Sequence, residues 1–131
     1  MNDEQIEQEI QDKGLTAPRV TPDDIEVNIV RCEYFTAAQG VYGRETDCLE
    51  CVSDPDSHDT LNLLTFCVLV LRNGFTVTGE SACASPENFD ADLGRKIARK
   101  NAVSKVWPLM GYALKDRLFY DAAKVNKGVQ A

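Results

Sequence analysis

The Asn73-Gly74 step, set inside Leu69-Val70-Leu71-Arg72-Asn73-Gly74-Phe75-Thr76-Val77-Thr78-Gly79, constrains the fold more than any other part of the chain. Asn-Gly tolerates the positive-φ backbone of a two-residue hairpin turn better than other dipeptides do. A two-residue turn places Arg72 opposite Phe75, Val70 opposite Val77 and Val68 opposite Gly79. The hairpin expected over 62–72 and 75–82 then buries Phe66, Val68, Val70, Phe75 and Val77 on one face. Its other face carries Cys67, Leu69 and Leu71 against Thr76, Thr78 and Glu80, a mixed surface suited to a partner. An isolated ribbon of two strands is not stable in water, so helices must cover the first face.

The flanking segments supply those helices. Asp3 to Lys13 reads as a short polar helix stopped by Gly14, with Ile6 and Ile10 as its only apolar pair. Thr21-Pro22-Asp23-Asp24 joins an N-cap, a proline suited to the first helical position and two acids at the positive end of the helix dipole. It opens a helix expected over 22–31, after which alternation predicts a strand at 31–36. Residues 39–60 read as a polar insertion rich in acids. Ser85-Pro86-Glu87 introduces the last helical region, where apolar or small residues recur at steps of three and four from Phe89 to Leu118. Pro108 removes a backbone donor there, which predicts a kink or break near Trp107. Phe89, Trp107 and Tyr112 fall at core spacing, and Gly79 reads as a bulge or a close approach. The fold class expected is α+β: a small antiparallel sheet packed by the helix at 22–31 and a kinked C-terminal helix at 89–118. The domain reading is a short helix and linker over 1–20, one domain over 21–120 and a tail over 121–131.

Composition narrows the function classes. The 131 residues suit one modest core. The longest apolar stretch, Leu63 to Leu71, falls far short of the ~20 residues of a membrane span. The acidic start Met1-Asn2-Asp3-Glu4 does not resemble a signal peptide, so a cytoplasmic location is expected, with no membrane partner. Five cysteines in such a chain read as thiols or metal ligands. The formal charge of −7 is unevenly spread, with 15 acidic against 4 basic residues over 1–60 and 6 against 10 over 61–131. Either the two halves neutralise each other, or the acidic half, through residues such as Asp23, Asp24 and Glu26, meets a basic partner.

Three constellations could carry chemistry. Cys48-Leu49-Glu50-Cys51 with His58 has the ligand types of a zinc site, the fourth ligand coming from Cys32 or a nearby aspartate; the alternative is a polar loop with incidental thiols. Gly79-Glu80-Ser81-Ala82-Cys83 has the outline of a nucleophile elbow without its second glycine, and the only imidazole for it is the distant His58. No catalytic residue is therefore expected. Arg95, Lys96, Arg99 and Lys100, with Lys105, form a basic stripe that could hold a phosphate-bearing ligand, a nucleotide or nucleic acid, or else a solvated face with local pairs such as Asp92–Lys96.

The run from Thr65 to Leu118 also carries a resemblance. Asn-Gly-Phe-Thr-Val-Thr-Gly-Glu-Ser-Ala-Cys, Pro-Glu-Asn-Phe-Asp, Gly-Arg-Lys-Ile-Ala and Trp-Pro-Leu-Met-Gly-Tyr-Ala-Leu-Lys resemble a family of small tailed-phage and prophage proteins. That family is named after gene product forty-nine of one phage and gene sixty-six of another. The resemblance implies a phage accessory protein acting inside a bacterial host, with no catalytic template to transfer. The Cys48/Cys51 insertion departs from the family's pattern. The leading expectation is a non-enzymatic protein that binds a host protein or defence component through Asp23, Asp24, Glu26, Leu69, Leu71, Thr76, Thr78 and Glu80, with homodimerisation through the second sheet face or the long helix. The alternatives are a nucleotide or nucleic-acid binder using the basic stripe and a small zinc-stabilised module; no other cofactor is expected.

Overall fold

Side-chain caps set the helix starts in the computed structural model, which describes residues 2–44 and 60–130. Asn2 Oδ1 accepts from the Gln5 amide while the Gln5 side chain accepts from the Asn2 amide, opening α1 (Asp3–Asp12). The same reciprocal pair forms between Thr21 and Asp24 ahead of α2 (Pro22–Asn28). It forms again between Thr36 and Gln39 ahead of α3 (Ala37–Arg44). That third helix occupies the start of the stretch expected to be a polar insertion over 39–60. Its signal, Thr36 followed three residues later by Gln39, was present in the sequence.

Strand β1 spans Ile29–Thr36, so the helix expected over 22–31 ends three residues early. Ile29 and Arg31 already pair with Leu71 and Val70, and the ladder hydrogen bonds of the sheet replace another helical turn. The sheet is three-stranded and antiparallel, in the order β1-β2-β3, with β2 at Leu64–Leu71 and β3 at Thr76–Ala82. Together with the helices it makes an α+β protein.

The hairpin register differs from the expected one by one residue. Leu69 pairs with Val77, Cys67 with Gly79 and Val68 with Thr78. The Leu71 amide donates to the Phe75 carbonyl and the Gly74 amide to the Leu71 carbonyl, both at 2.8 Å. Arg72, Asn73 and Gly74 thus form a three-residue loop. Gly74 alone takes the left-handed conformation, at φ +89°, and Asn73 Oδ1 accepts from the Phe75 amide. A one-residue slip exchanges faces, because side chains alternate along a strand. The buried face therefore carries Thr65, Cys67, Leu69 and Leu71 with Val77 and Gly79, while Phe66, Val68 and Val70 are only half-buried. Phe75, expected in the core, is exposed.

Helix α4 (Ala91–Gln130) covers the buried face. Its first turns bury a row of small residues at every fourth position, Gly94, Ala98 and Ala102. Leu93 and Ile97, read from periodicity as part of the apolar stripe, stay exposed. The reason lies on β3: a Cβ at Gly79 would sit 2.2 Å from the Ala98 carbonyl oxygen and 2.3 Å from the Ala102 nitrogen. The helix backbone rests directly on the glycine, so Gly79 is a close approach. Asn101 Nδ2 adds a 2.8 Å hydrogen bond to the Glu80 carbonyl. The expected break at Pro108 is not found; α4 runs through it and on through the segment read as a tail. Ser104, whose carbonyl loses its helical partner to Pro108, turns its hydroxyl back to the Lys100 carbonyl.

The chain divides into two compact units. One is Ile29–Ser104, holding the sheet, α3 and the first turns of α4. The other joins Met1–Asn28 with Lys105–Ala131. In that second unit Glu7 and Arg19 form a two-bond ion pair at 2.6 Å, tying the segment after α1 back to α1, and Ile25 is buried in α2. Tyr112, expected in the core, is among the most exposed apolar side chains, and Trp107 and Phe89 are only half-buried.

Candidate ligand cleft and open sheet face

Two features of the Ile29–Ser104 unit can meet another molecule, and they lie on different parts of the sheet. The first is a cleft of about 480 Å³ where β1 runs into α3 and the first turn of α4 passes over the start of β2. Its lining comes from Tyr34, Phe35 and Thr36, from Gln39, from Asn62 and Thr65, and from Phe89, Ala91 and Arg95. The volume falls in the range of about 300–1,000 Å³ usual for small-molecule sites.

Thr65 is the unusual member. It is 3% exposed, it is the one polar side chain on the buried face of β2, and among the described residues its hydroxyl makes no hydrogen bond. A buried unpaired polar group of this kind costs about 1–3 kcal/mol. Gly94 faces it: a Cβ there would lie 3.1 Å from Thr65 Oγ1. Thr65 also pairs with Thr36 on one side and Ser81 on the other, so three hydroxyl residues lie level across the sheet.

Arg95 brings the cleft's positive charge and is paired with the exposed carboxylate of Asp92, three residues earlier. The basic stripe is thus partly engaged: Asp92 turns to Arg95 and not to Lys96, Lys96 and Lys100 are exposed, and Arg99 is half-buried. Arg99 acts electrostatically on Tyr34 and Cys67. The start of α4 is partly capped. Asp90 Oδ1 accepts from the Leu93 amide, and the Asp90 carbonyl from the Gly94 amide. Burial, with the Cys32 thiol beside it, pushes the Tyr34 phenol up to about 12, so it stays protonated and able to donate at neutral pH.

Cys32 and Cys67 meet across β1 and β2 with their sulfurs 3.7 Å apart. Cys67 is fully buried, and burial, reinforced by Cys32, pushes its thiol up to about 12. A thiol in that state is a poor nucleophile. Cys83 donates its Sγ proton to the Ser85 carbonyl at 3.1 Å. The zinc expectation on Cys48, Cys51 and His58 lies outside the described residues. Among the described residues no group of three or more histidine, cysteine or acidic side chains is placed to hold a metal ion.

The second feature is the open face of the sheet. The half-buried Phe66, Val68 and Val70 run down β2 between Arg31, Glu33 and Phe35 of β1 and the exposed Thr76, Thr78 and Glu80 of β3. Phe35 stacks on Phe66 with ring centroids 5.3 Å apart, and α3 approaches Phe35 through Gly40. Arg31 and Glu33 pair with each other at 2.8 Å. Of the residues expected to bind a partner, Thr76, Thr78 and Glu80 belong to this face. Leu69 and Leu71 do not; they are 0% and 4% exposed beneath α4, a consequence of the register slip. Phe66, Val68 and Val70, assigned to the core by the two-residue turn, take their place. Asp23, Asp24 and Glu26 are exposed in the other unit, and Asp24 is committed to the cap of α2.

The sequence model of the Phage protein (N4 Gp49/phage Sf6 gene 66) family matches residues 20–118, most of the chain. The chain belongs to this phage family. The match takes in the whole sheet, α2 and the first part of α4, and so includes the cleft and the open face. No curated protein and no solved structure matches the chain. No helix among the described residues is long and apolar enough to cross a membrane.

Proposed function

We propose that this phage protein is a non-enzymatic accessory factor that acts in the host cytoplasm by binding a host protein or defence component through the open sheet face. The observation that supports the reading is the row Phe66-Val68-Val70, half-buried, with an exposed polar border of Thr76, Thr78 and Glu80. Protein interfaces share that anatomy of an apolar centre inside a polar rim. The thiols fit the same reading: Cys67 is buried and held protonated, and Cys83 is tied to a backbone carbonyl.

Co-purification of the tagged protein from a phage-infected or lysogenic host tests it. Val68→Asp with Thr78→Arg should lose the captured protein while keeping the wild-type circular dichroism. Asp23→Lys with Glu26→Lys, which leaves the Asp24 cap intact, separates the acidic surface of α2 from the sheet face. Capture that survives the sheet-face pair in a folded protein would sink the proposal. Capture lost only on reversing Asp23 and Glu26 would move the site to α2. A concentration-dependent dimer abolished by the sheet-face pair would make the partner a second copy of this chain.

A further inference from the structure

The cleft beside Thr65 points to a ligand of its own, independent of the protein-binding reading above and on a separate surface. Its lining is rich in hydrogen-bond donors: the Tyr34 phenol, the Thr65 hydroxyl, the Asn62 amide and the Arg95 guanidinium, which a ligand would share with the exposed Asp92 carboxylate. Gln39 joins them, since its Oε1 already accepts from the Thr36 amide and its Nε2 remains as a donor. Arg99, acting on Tyr34, places a second positive charge nearby. Phe89 and the backbone edge of β1 at Phe35 complete the lining, the Phe35 ring being stacked on Phe66 on the open face. Donors and cations select an anion, and an aromatic wall selects a flat ring. The buried Thr65 hydroxyl, with no partner among the described residues, is what a ligand oxygen in the cleft would satisfy.

We propose that this cleft binds a nucleoside monophosphate, its acid group held by Arg95 and Thr65 and its base against Phe89. Asp90 caps the Leu93 amide at the start of α4, and the charge recognition is assigned to the Arg95 side chain. Thr65 is a positioning group whose loss has a distinctive signature. A threonine that served only the fold would leave ligand affinity unchanged when replaced by valine. A threonine that served the ligand would weaken binding while the free protein stayed as stable or became more so, because an unpaired buried hydroxyl is removed.

Isothermal titration of the full chain with each of the four common ribonucleoside monophosphates tests the proposal, with free nucleoside and inorganic phosphate as the two half-ligands. At least one monophosphate should bind, about tenfold or more tighter than either half. Arg95→Gln and Thr65→Val should each weaken it by about tenfold, with the thermal midpoint of Thr65→Val unchanged or raised. Absence of binding by all four would overturn the proposal, as would equal affinity for phosphate alone, which marks a simple anion site. Binding undiminished in both variants would also overturn it. None of these results bears on host-protein capture, which the variants of the open face report separately.

Discussion

At the scale of single residues, polar groups are placed where their cost is met, with Thr65 as the exception that marks the cleft. Glu7 and Arg19 show the usual case. The two hydrogen bonds from the Arg19 guanidinium, with a third from Gln11, hold the Glu7 carboxyl down at about 2, against 4.5 for a free group. The folded state therefore favours the ionised form. Its contribution is complete above pH 4.5 and is lost as pH falls toward about 2, where the folded carboxylate is also protonated. Chemical denaturation at a series of acidic pH values should show that loss in the native sequence, and Glu7→Gln should flatten the curve over the same window. An identical acid limb in the variant would mean that the pair contributes nothing. Nothing in the spacing of Glu7 and Arg19, twelve residues apart with Gly14 and Pro18 between them, announced the bond.

At the scale of elements, the decisive contact is helix α4 lying on strand β3. Gly79 lets the helix backbone approach so closely that the contacting positions on α4 must themselves be small, which is why Gly94, Ala98 and Ala102 are buried and Leu93 and Ile97 are not. Gly79→Ala pushes a methyl group against the Ala98 carbonyl and the Ala102 amide, backbone atoms that cannot turn aside. It should cost about 3 kcal/mol, the upper end of the usual overpacking range, read as a shift in the denaturant midpoint. A loss below about 0.5 kcal/mol, the ordinary scatter of surface substitutions, would show that the helix does not rest on the glycine. The helix caps were more legible than the packing: Thr21 with Asp24 is a local signal, and Thr36 with Gln39 is the same signal within a stretch read as an insertion.

At the scale of the whole molecule, one of the two units joins chain segments of opposite charge. The acidic Met1–Asn28 segment and the basic Lys105–Ala131 segment belong to one unit, so charges that lie far apart in the chain share one compact body. The units also differ in how firmly they should hold. Helix α1 buries no residue, whereas β2 is paired on both sides and supplies Cys67, Leu69 and Leu71 to the core. Hydrogen exchange followed by mass spectrometry should find β2 amides the slowest in the protein and α1 amides the fastest. Equal protection of the two would contradict this ordering.

The Asn73-Gly74 signal, the capped helix starts and the long helical pattern fixed an α+β protein with a hairpin against helices, because each is a preference of a few neighbouring residues. The faces of that hairpin were another matter. From Phe66 to Leu71 strand β2 is apolar at every position, so alternation could not say which side is the core. The answer depended on one residue in the turn, and the three-residue loop favoured by tertiary packing moved Leu69 and Leu71 inside and left Val68 and Val70 facing out. The cleft was hidden for a similar reason: Tyr34, Thr65 and Arg95 follow one another at intervals of about thirty residues, and only the folded sheet and helix bring them to one lining. Local chemistry chose the elements, and long-range packing chose the surfaces they present.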